Sequence, residues 1–579
     1  MSAFLNVETS AMGRRWVGPG AEVERMGMAI AQTAGLPAIV GQILAQRGVA
    51  PDQAAAYLTP TIRDLMPDPS SMKDMDKAAE RFLAAVRGKQ KIAIFADYDV
   101  DGGSSAALLI DWLRGFGISP TLYVPDRIDE GYGLSVEAME ELGRGHDLII
   151  AVDCGTLSHD PIAAAGCDVI VLDHHLGSET LPDAVAVVNP NRQDETGDLS
   201  YLCAAGVVWM MLAAVNRLLR AEGTKGPDLI ALLDLVGLAT VADVAPLIGL
   251  NRAFVRQGLV IMGARQRPGL VALSDVAKIT TAPTAYHLGY ILGPRVNAGG
   301  RIGVADIGAR LLATSDPAEA AALAERLDFL NTERREIEAT VLAQATEQAE
   351  ARGVDAGLVW AAGEGWHPGV VGIVASRLKE AFNRPAVVIG LDGDEGKGSG
   401  RSIPGIDLGT AIATATREGL LLKGGGHKMA AGLTVAADML EPAMARLTEI
   451  LEKHGAANAG PADMRIDGLL TPAGATVELI ETLEQAGPFG ASAPAPRFAF
   501  ASTRISFAKR AGESHLRLTL SDGGAKIDAI AFRAYETALG PMLENHAGAP
   551  FHFAGRLEID EWGGRRKAKL KLEDAAQVV

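Results

Sequence analysis

Between residue 75 and about residue 265, short apolar runs alternate with helical patterns. The runs at 92–96, 121–124, 148–152, 169–172 and 185–188 are continuous rather than alternating, as expected for strands buried on both faces. Residues 135–142 and 161–165 read as intervening helices. Strand, loop and helix in repetition predict a parallel sheet covered by helices on both faces, with ligands bound at the carboxyl ends of its strands. The first 74 residues read instead as short helices between Pro/Gly breaks, such as 29–32 and 42–46, and the loop 67–72 closes them. Residues 318–352, rich in Ala, Glu and Arg, form one long helical pattern, a connector between two lobes with a solvated charged face. After Ala459 the period changes to two. The segments 515–520 and 526–532 alternate around an Asp522-Gly523 turn, and 551–559 and 567–572 read as further strands of a small all-β unit.

A chain of 579 residues is long for one core, and roughly three to five domains are expected. The N-terminus has no apolar signal region, and no run approaches the ~18 apolar residues of a membrane span, so a cytoplasmic protein is expected. Cys154, Cys167 and Cys203 are too few and too irregularly spaced for a disulfide framework or a Cys-type zinc site, and read as small packing residues. The formal charge of −17 argues against coating nucleic acid by bulk electrostatics, but leaves room for a local basic track.

The candidate chemistry lies where the strands end. The run 92–96 leads into Asp97, Asp99 and Asp101, then Gly102-Gly103 and an alanine-rich helical pattern. Carboxylates delivered to a Gly-rich turn suit a divalent cation beside a phosphate, although acids that merely cap the next helix would look the same. The run 148–152 leads into Asp153-Cys154-Gly155, and 169–172 into Asp173-His174-His175. A further apolar stretch, 235–241, ends at Ala242-Asp243. Four segments thus bring Asp or His to what should be one edge. Carboxylates with imidazoles suit Mn²⁺ or Mg²⁺, Mn²⁺ being favoured by the histidines, and the ligands are too many for one ion. Two ions sharing a bridging aspartate fit better. An EF-hand is excluded, because Leu108 stands at the twelfth position where a glutamate is needed. A P-loop is excluded too, since Leu391 and Gly398 occupy positions reserved for Gly and for Ser or Thr.

Asp97-Tyr98-Asp99-Val100-Asp101-Gly102, Asp153-Cys154-Gly155, Asp173-His174-His175 and Asp243 together resemble the ordered motifs of the DHH phosphoesterase superfamily. Gly293-Pro294-Arg295-Val296-Asn297-Ala298-Gly299-Gly300-Arg301 is similar to a stretch of its RecJ branch of single-strand exonucleases, and reads physically as two arginines beside a Gly-rich turn. Residues 366–377, 398–402 and 424–432 resemble signatures of the superfamily's second domain, DHHA1, whose glycines would let backbone N–H groups approach an anion. Pyrophosphatase relatives carry a metal-binding His just before the first Asp, whereas the first histidine here is His146, which disfavours that activity.

The resemblance implies an α/β protein: a parallel-sheet DHH domain and a smaller α/β DHHA1 domain joined by a long helix, plus a C-terminal all-β OB-fold. The implied divisions are 1–74, 75–265 (catalytic), 266–353 (linker with the connecting helix), 354–457 (substrate-binding) and 458–579 (nucleic-acid-binding). Metal ligands would be Asp97, Asp99, Asp153, His174 and Asp243, with Asp153 the bridge. His175 would sit on the scissile phosphate, Asp173 would orient the histidines, and Asp101 would shape the turn. Arg295, Asn297, Arg301, Ser399, Arg401, Ser402, Gly425, Gly426 and His427 would bind substrate.

Between Arg497 and Arg533 seven basic residues face three acidic ones, and Arg565, Arg566, Lys567, Lys569 and Lys571 form a second cluster. Phe498, Phe500, Phe507, Phe532 and Trp562 are candidate stacking platforms, although aromatics in a small barrel more often fill its core. The expected activity is metal-dependent 5′→3′ degradation of single-stranded DNA to mononucleotides by a monomer, with a single-strand-binding protein and a helicase as implied protein partners. The alternatives are a phosphodiesterase of short oligonucleotides or cyclic dinucleotides, and a non-catalytic single-strand-binding scaffold.

Overall fold

In the computed structural model, residues 3–126, 130, 133–456, 463–561 and 564–578 are described, and they fall into two compact units. One comprises residues 66–245 and 254–460; the other comprises 1–65, 246–253 and 461–579.

The larger unit contains two sheets. The first is all parallel, in the order β2-β1-β3-β4-β5, with β1 Ile92–Ala96, β2 Thr121–Tyr123, β3 Leu148–Val152, β4 Asp168–Leu172 and β5 Ala186–Val188. Every residue of β1 and β3 is buried, which is why their sequences carry no alternation. Phe95, Ala151 and Val171 on one face pack with Met139, Leu142 and Ile162 of helices Val136–Gly145 and His159–Ala164. Helix Met75–Arg87, α1 (Val100–Arg114) and α2 (Ala204–Ala221) pack together, with the Phe82 and Trp112 rings 5.2 Å apart. Among the described residues α2 alone has the length and apolarity to cross a membrane, and most of it is buried in this unit, as a core helix would be.

Two segments depart from the expectations. Residues 235–241 are not a strand but belong to α3, Leu233–Ala242, nearly all of it buried. An apolar run covered on every side has neither period, so its sequence cannot distinguish helix from strand. Residues 293–301 are not a turn but belong to α4, Gly293–Ile302, which follows a π-helix at His287–Leu292. Its glycines serve close packing: a Cβ on Gly300 would lie 2.6 Å from the Tyr98 ring.

The connector is one helix, α5, Pro317–Arg352, N-capped by Asp316. Its first half sets Leu327 close to Gly299 of α4 and Leu330 close to Gly303 just beyond it, and its second half sets Val341, Ala345 and Ala349 into the core of the second sheet. That sheet has the order β9-β10-β8-β7-β6, with β6 Val359–Glu364, β7 Ala386–Asp392, β8 Glu395–Arg401, β9 Lys423–His427 and β10 Ala430–Ala436. The glycine-rich stretches 398–402 and 424–432 lie largely in these paired strands, with Gly425 opposite Gly432 and Gly432 opposite Ser399.

The smaller unit is built on a closed barrel, β11 (Gly468–Leu470) through β16 (Lys567–Gln577), in which β12 (Phe498–Ala511) also pairs with β15 (Pro550–Asp560). Phe498 and Phe500 fill its core with Phe551 and Phe553, so neither is available for stacking on bases; Phe507 and Phe532 are half exposed, and Trp562 lies outside the described residues. The N-terminal segment is tied to the barrel. The buried Asp574 carboxylate accepts hydrogen bonds from Ser10 Oγ at 2.6 Å, Trp16 Nε1 at 3.1 Å and the Met12 N–H at 3.2 Å.

Candidate metal centre

Register explains why the carboxylates converge. Ala96 pairs with Val152, Val152 with Leu172, and Leu172 with Val188, so the next residues, Asp97, Asp153, Asp173 and Asn189, leave the sheet at one edge. Asp97, Asp153 and Asp173 are all buried there. Asp243, the first residue beyond α3, reaches the same place from a helix end.

Asp99 satisfies both readings of the first loop. Its Oδ1 caps α1, accepting from the N–H groups of Asp101 at 2.8 Å and Gly102 at 3.1 Å, while Asp99 also groups with Asp97 and Asp153. Asp101 does not shape its own turn. Its two oxygens accept from the N–H groups of Ala205 and Ala204 at 2.8 and 2.7 Å, capping α2 from a hundred residues upstream.

His174 Nε2 lies 3.3 Å from Asp153 Oδ1, 3.7 Å from Asp101 Oδ2 and 3.8 Å from Asp243 Oδ2. Three sets of candidate ligand atoms therefore lie within coordinating reach: Asp97, Asp99 and Asp153; Asp101, His174 and Asp243; Asp153, His174 and His175. Asp153 and His174 each belong to two sets, as adjoining cation sites require. Asp153 is held in the left-handed region at φ 60°, a strained backbone of the kind that clusters at functional sites.

Asp173 works one step behind. Its Oδ1 accepts from the N–H groups of His174 at 2.7 Å and His175 at 3.2 Å and from His175 Nδ1 at 2.8 Å, and its Oδ2 accepts from the Thr156 N–H at 3.0 Å. Sequence reasoning missed two further supports. Asn189 Nδ2 donates to Thr156 Oγ1 and to the His175 carbonyl, both at 2.8 Å, and Asn191 Nδ2 donates to the His174 carbonyl at 2.6 Å. The signal was present: Asn189-Pro190-Asn191 follows the fifth apolar run as the aspartates follow the others.

The electrostatics call for cations. Burial, reinforced by Asp101, Asp99, Asp97 and Asp243, pushes the Asp153 carboxyl well above the usual carboxylate range. Burial, with Asp101 and Asp99, pushes Asp243 up to about 9. Burial opposes charge on Asp173 too, but its bond to His175 holds it below the ordinary range. Burial lowers His175, yet the bond to Asp173 and the neighbouring carboxylates outweigh it and bring the imidazole to about 9. Asp153 Oδ1 is buried and receives no hydrogen bond among the described residues, so an oxygen-rich cluster with one unsatisfied acceptor fits a hard divalent ion. Burial also pushes up the thiols of Cys154 and Cys203, as inert packing cysteines require.

The expected substrate residues divide into three groups. Arg301, Ser399, Arg401 and Gly426 line a single cleft of about 590 Å³, together with Lys397, which sequence reasoning missed. There Arg401 Nη1 donates to Ser399 Oγ at 2.8 Å, and Arg301 Nη1 donates to the Gly369 carbonyl at 3.0 Å. Gly425 and His427 lie exposed on β9. The other three have structural partners: Arg295 pairs with Asp328 at 2.8 Å, Asn297 Oδ1 accepts from the Val100 N–H at 2.9 Å, and Ser402 Oγ donates to the Ile406 carbonyl at 2.8 Å.

Residues 91–240 match the DHH family N-terminal domain, 355–453 the DHHA1 domain and 466–574 the RecJ OB domain. The chain is 36% identical over 563 residues to the single-stranded-DNA-specific exonuclease RecJ of Escherichia coli (strain K12), covering 93% of this chain and 96% of that protein. It is 38% identical to the exonuclease of the same name from Dickeya dadantii (strain 3937), with the same coverage. Its structure is similar to the crystal structure of RecJ in complex with Mn²⁺ from Thermus thermophilus, with a TM-score of 0.81 and 28% identity, over 97% of this chain and 79% of that one. With its motifs, its domains and nearly its whole length accounted for in this way, the chain belongs to the RecJ family.

Proposed function

We propose that the chain is a metal-dependent exonuclease that degrades single-stranded DNA to mononucleotides, with the 5′→3′ polarity that resemblance to the RecJ branch implies. The observation that carries this reading is the meeting of Asp97, Asp99, Asp153, His174 and Asp243 at one sheet edge, in a chain whose relatives are named for that activity. Mn²⁺ or Mg²⁺, as a pair, is the cofactor the residues fit, and the Thermus thermophilus protein was crystallised with each. Asp97, Asp99, Asp153, His174 and Asp243 would hold the ions, with Asp153 between them. Bound there, the pair supplies Lewis acidity to a phosphodiester and lowers the pKa of water.

The chain's own groups do the rest. Asp173 accepts from His175 Nδ1 and favours the protonated ring, whose second N–H is then a donor to the developing charge on the reacting phosphate. Arg301, Arg401 and Ser399 hold a neighbouring phosphate, and Gly425, Gly426 and His427 give the strand an exposed backbone track. Arg295, Asn297 and Ser402 keep those parts in position. Asn297 does so by bonding the first residue of α1, directly after Asp99. The barrel, through its two local clusters of basic residues, is a further single-strand binder. The five-part division at 1–74, 75–265, 266–353, 354–457 and 458–579 goes with this reading. So do a monomeric state, a cytoplasmic location, and a single-strand-binding protein and a helicase as partners.

The test gives purified protein Mn²⁺ and single strands labelled at either end, with duplex as control. Mononucleotides released from single strands alone support the reading and report polarity. Rapid cleavage of dinucleotides with no product from longer strands would replace it with a short-oligonucleotide phosphodiesterase.

A further inference from the structure

We propose that Tyr286 and Tyr290 form a base-stacking platform for the single strand as it approaches the metal centre. The inference rests on the single-strand reading above and adds where bases are held.

Two large aromatic side chains lie on the surface here, Tyr286 58% and Tyr290 74% exposed. Their rings are stacked, with centroids 5.1 Å apart and planes 24° from parallel. The backbone arranges this. Tyr286 precedes and Tyr290 lies within the π-helix His287–Leu292, and residues four apart in a helical segment are neighbours on one face. Such π-helical turns are rare and recur at functional sites.

The platform's footing ties it to the metal centre. A Cβ on Gly289, between the two tyrosines, would lie 3.2 Å from the Val241 side chain, and one on Gly293 would lie 3.1 Å from Ala242. The π-helix backbone is thus pressed directly on the last turn of α3, and the next residue is Asp243. Beyond the π-helix the chain continues into α4, where Asn297 holds the Val100 N–H in the first metal loop. The element carrying the tyrosines is clamped at two corners of the site.

The chemistry selects the occupant. Arg301, Lys397 and Arg401 gather in the cleft and suit phosphates, whereas the tyrosine pair offers flat apolar faces. Val244, the neighbour of Asp243, adds an apolar side chain 70% exposed at φ 60°. Every base has a π-face, so stacking holds a strand without reading its sequence, as a degradative enzyme needs.

The experiment measures binding of a fluorescein-labelled oligothymidylate of about twenty nucleotides in EDTA, where turnover stops. It compares wild type, Tyr286→Ala, Tyr290→Ala and the two Tyr→Phe variants. Each alanine variant should weaken binding by about 5- to 100-fold, and each phenylalanine variant by no more than about twofold. Phe329→Ala, at a half-exposed aromatic on α5, should leave it unchanged. An abasic strand of the same length should bind wild type and alanine variants equally. Unchanged affinity in the alanine variants overturns the proposal, as does equal loss in Ala and Phe variants, which would assign the effect to the hydroxyls. Dissociation of a wild-type dimer by Tyr290→Ala with unchanged DNA affinity would overturn it by showing an interface between copies. Failure of wild type to bind any single strand would instead remove the functional reading itself.

Discussion

Asp173 Oδ1 lies 2.8 Å from His175 Nδ1, and the same oxygen receives the backbone N–H groups of His174 and His175. One carboxylate thereby sets the tautomer of one histidine and the backbone of both. Asp173→Ala should lower the rate of single-strand cleavage by about 10- to 100-fold with little change in KM, because it disturbs orientation rather than substrate grip. Steady-state kinetics on a labelled strand reads the split.

Asp153→Asn should remove activity at every Mn²⁺ concentration, since the shared position between two cation sites is lost. Asn tolerates the left-handed backbone at this residue, so the fold should survive. Relieved of the cost of burying an ionisable carboxyl, the metal-free variant should melt about 2–4 °C above metal-free wild type and gain little from added Mn²⁺. Calorimetric melting with and without the ion checks both.

The metal-free protein should lose stability as pH rises. Asp153 and Asp243 titrate above their unfolded values, Asp243 at about 9, and His175 also titrates at about 9. A group that binds its proton more tightly when folded contributes fully below its unfolded pKa and ceases to contribute as pH passes its folded pKa. For Asp243 that window runs from about 4 to about 9, for His175 from about 6.5 to about 9, and Asp153, also shifted upward, adds to the decline in the same direction. Asp173 is shifted the other way and contributes throughout this range. Melting in EDTA between pH 5 and pH 9, roughly the span of that window, should show the decline, and saturating Mn²⁺ should largely abolish it.

Asn189→Ala should cost about 1–3 kcal/mol, because it removes two buried donors and leaves Thr156 Oγ1 and the His175 carbonyl without them. Denaturant titration of the metal-free protein measures the loss.

Arg401→Ala should raise KM for single strands by about 10- to 100-fold, with a smaller effect on kcat, as removal of a charge-assisted phosphate contact requires. Arg401→Lys should recover only part of it, because an ammonium cannot reproduce the planar fork.

The amino-acid sequence by itself determined which segments are central strands, where they end, and that acids and histidines follow them. Continuous apolar runs and the residues just beyond them are local features, and parallel pairing brings their ends to one edge without further information. The alternating strands of the barrel and the connecting helix were equally legible, because period two and period 3.6 are written within a few residues. Tertiary structure alone decided that Asp243 arrives from a helix, since a run buried on all sides has lost its period. It alone decided that 293–301 is a helix whose glycines admit Tyr98, Ala242 and Leu327, and that the glycine-rich stretches of the second domain are paired strands. It also decided what each carboxylate does. Asp101 caps a helix that begins at Ala204, Asp173 sets both histidines, and Asp153 is left with an unsatisfied oxygen. A carboxylate's neighbours in sequence show that it will be at the edge. Its role there depends on which N–H groups, from residues near and far, fill its lone pairs first, and only packing settles that.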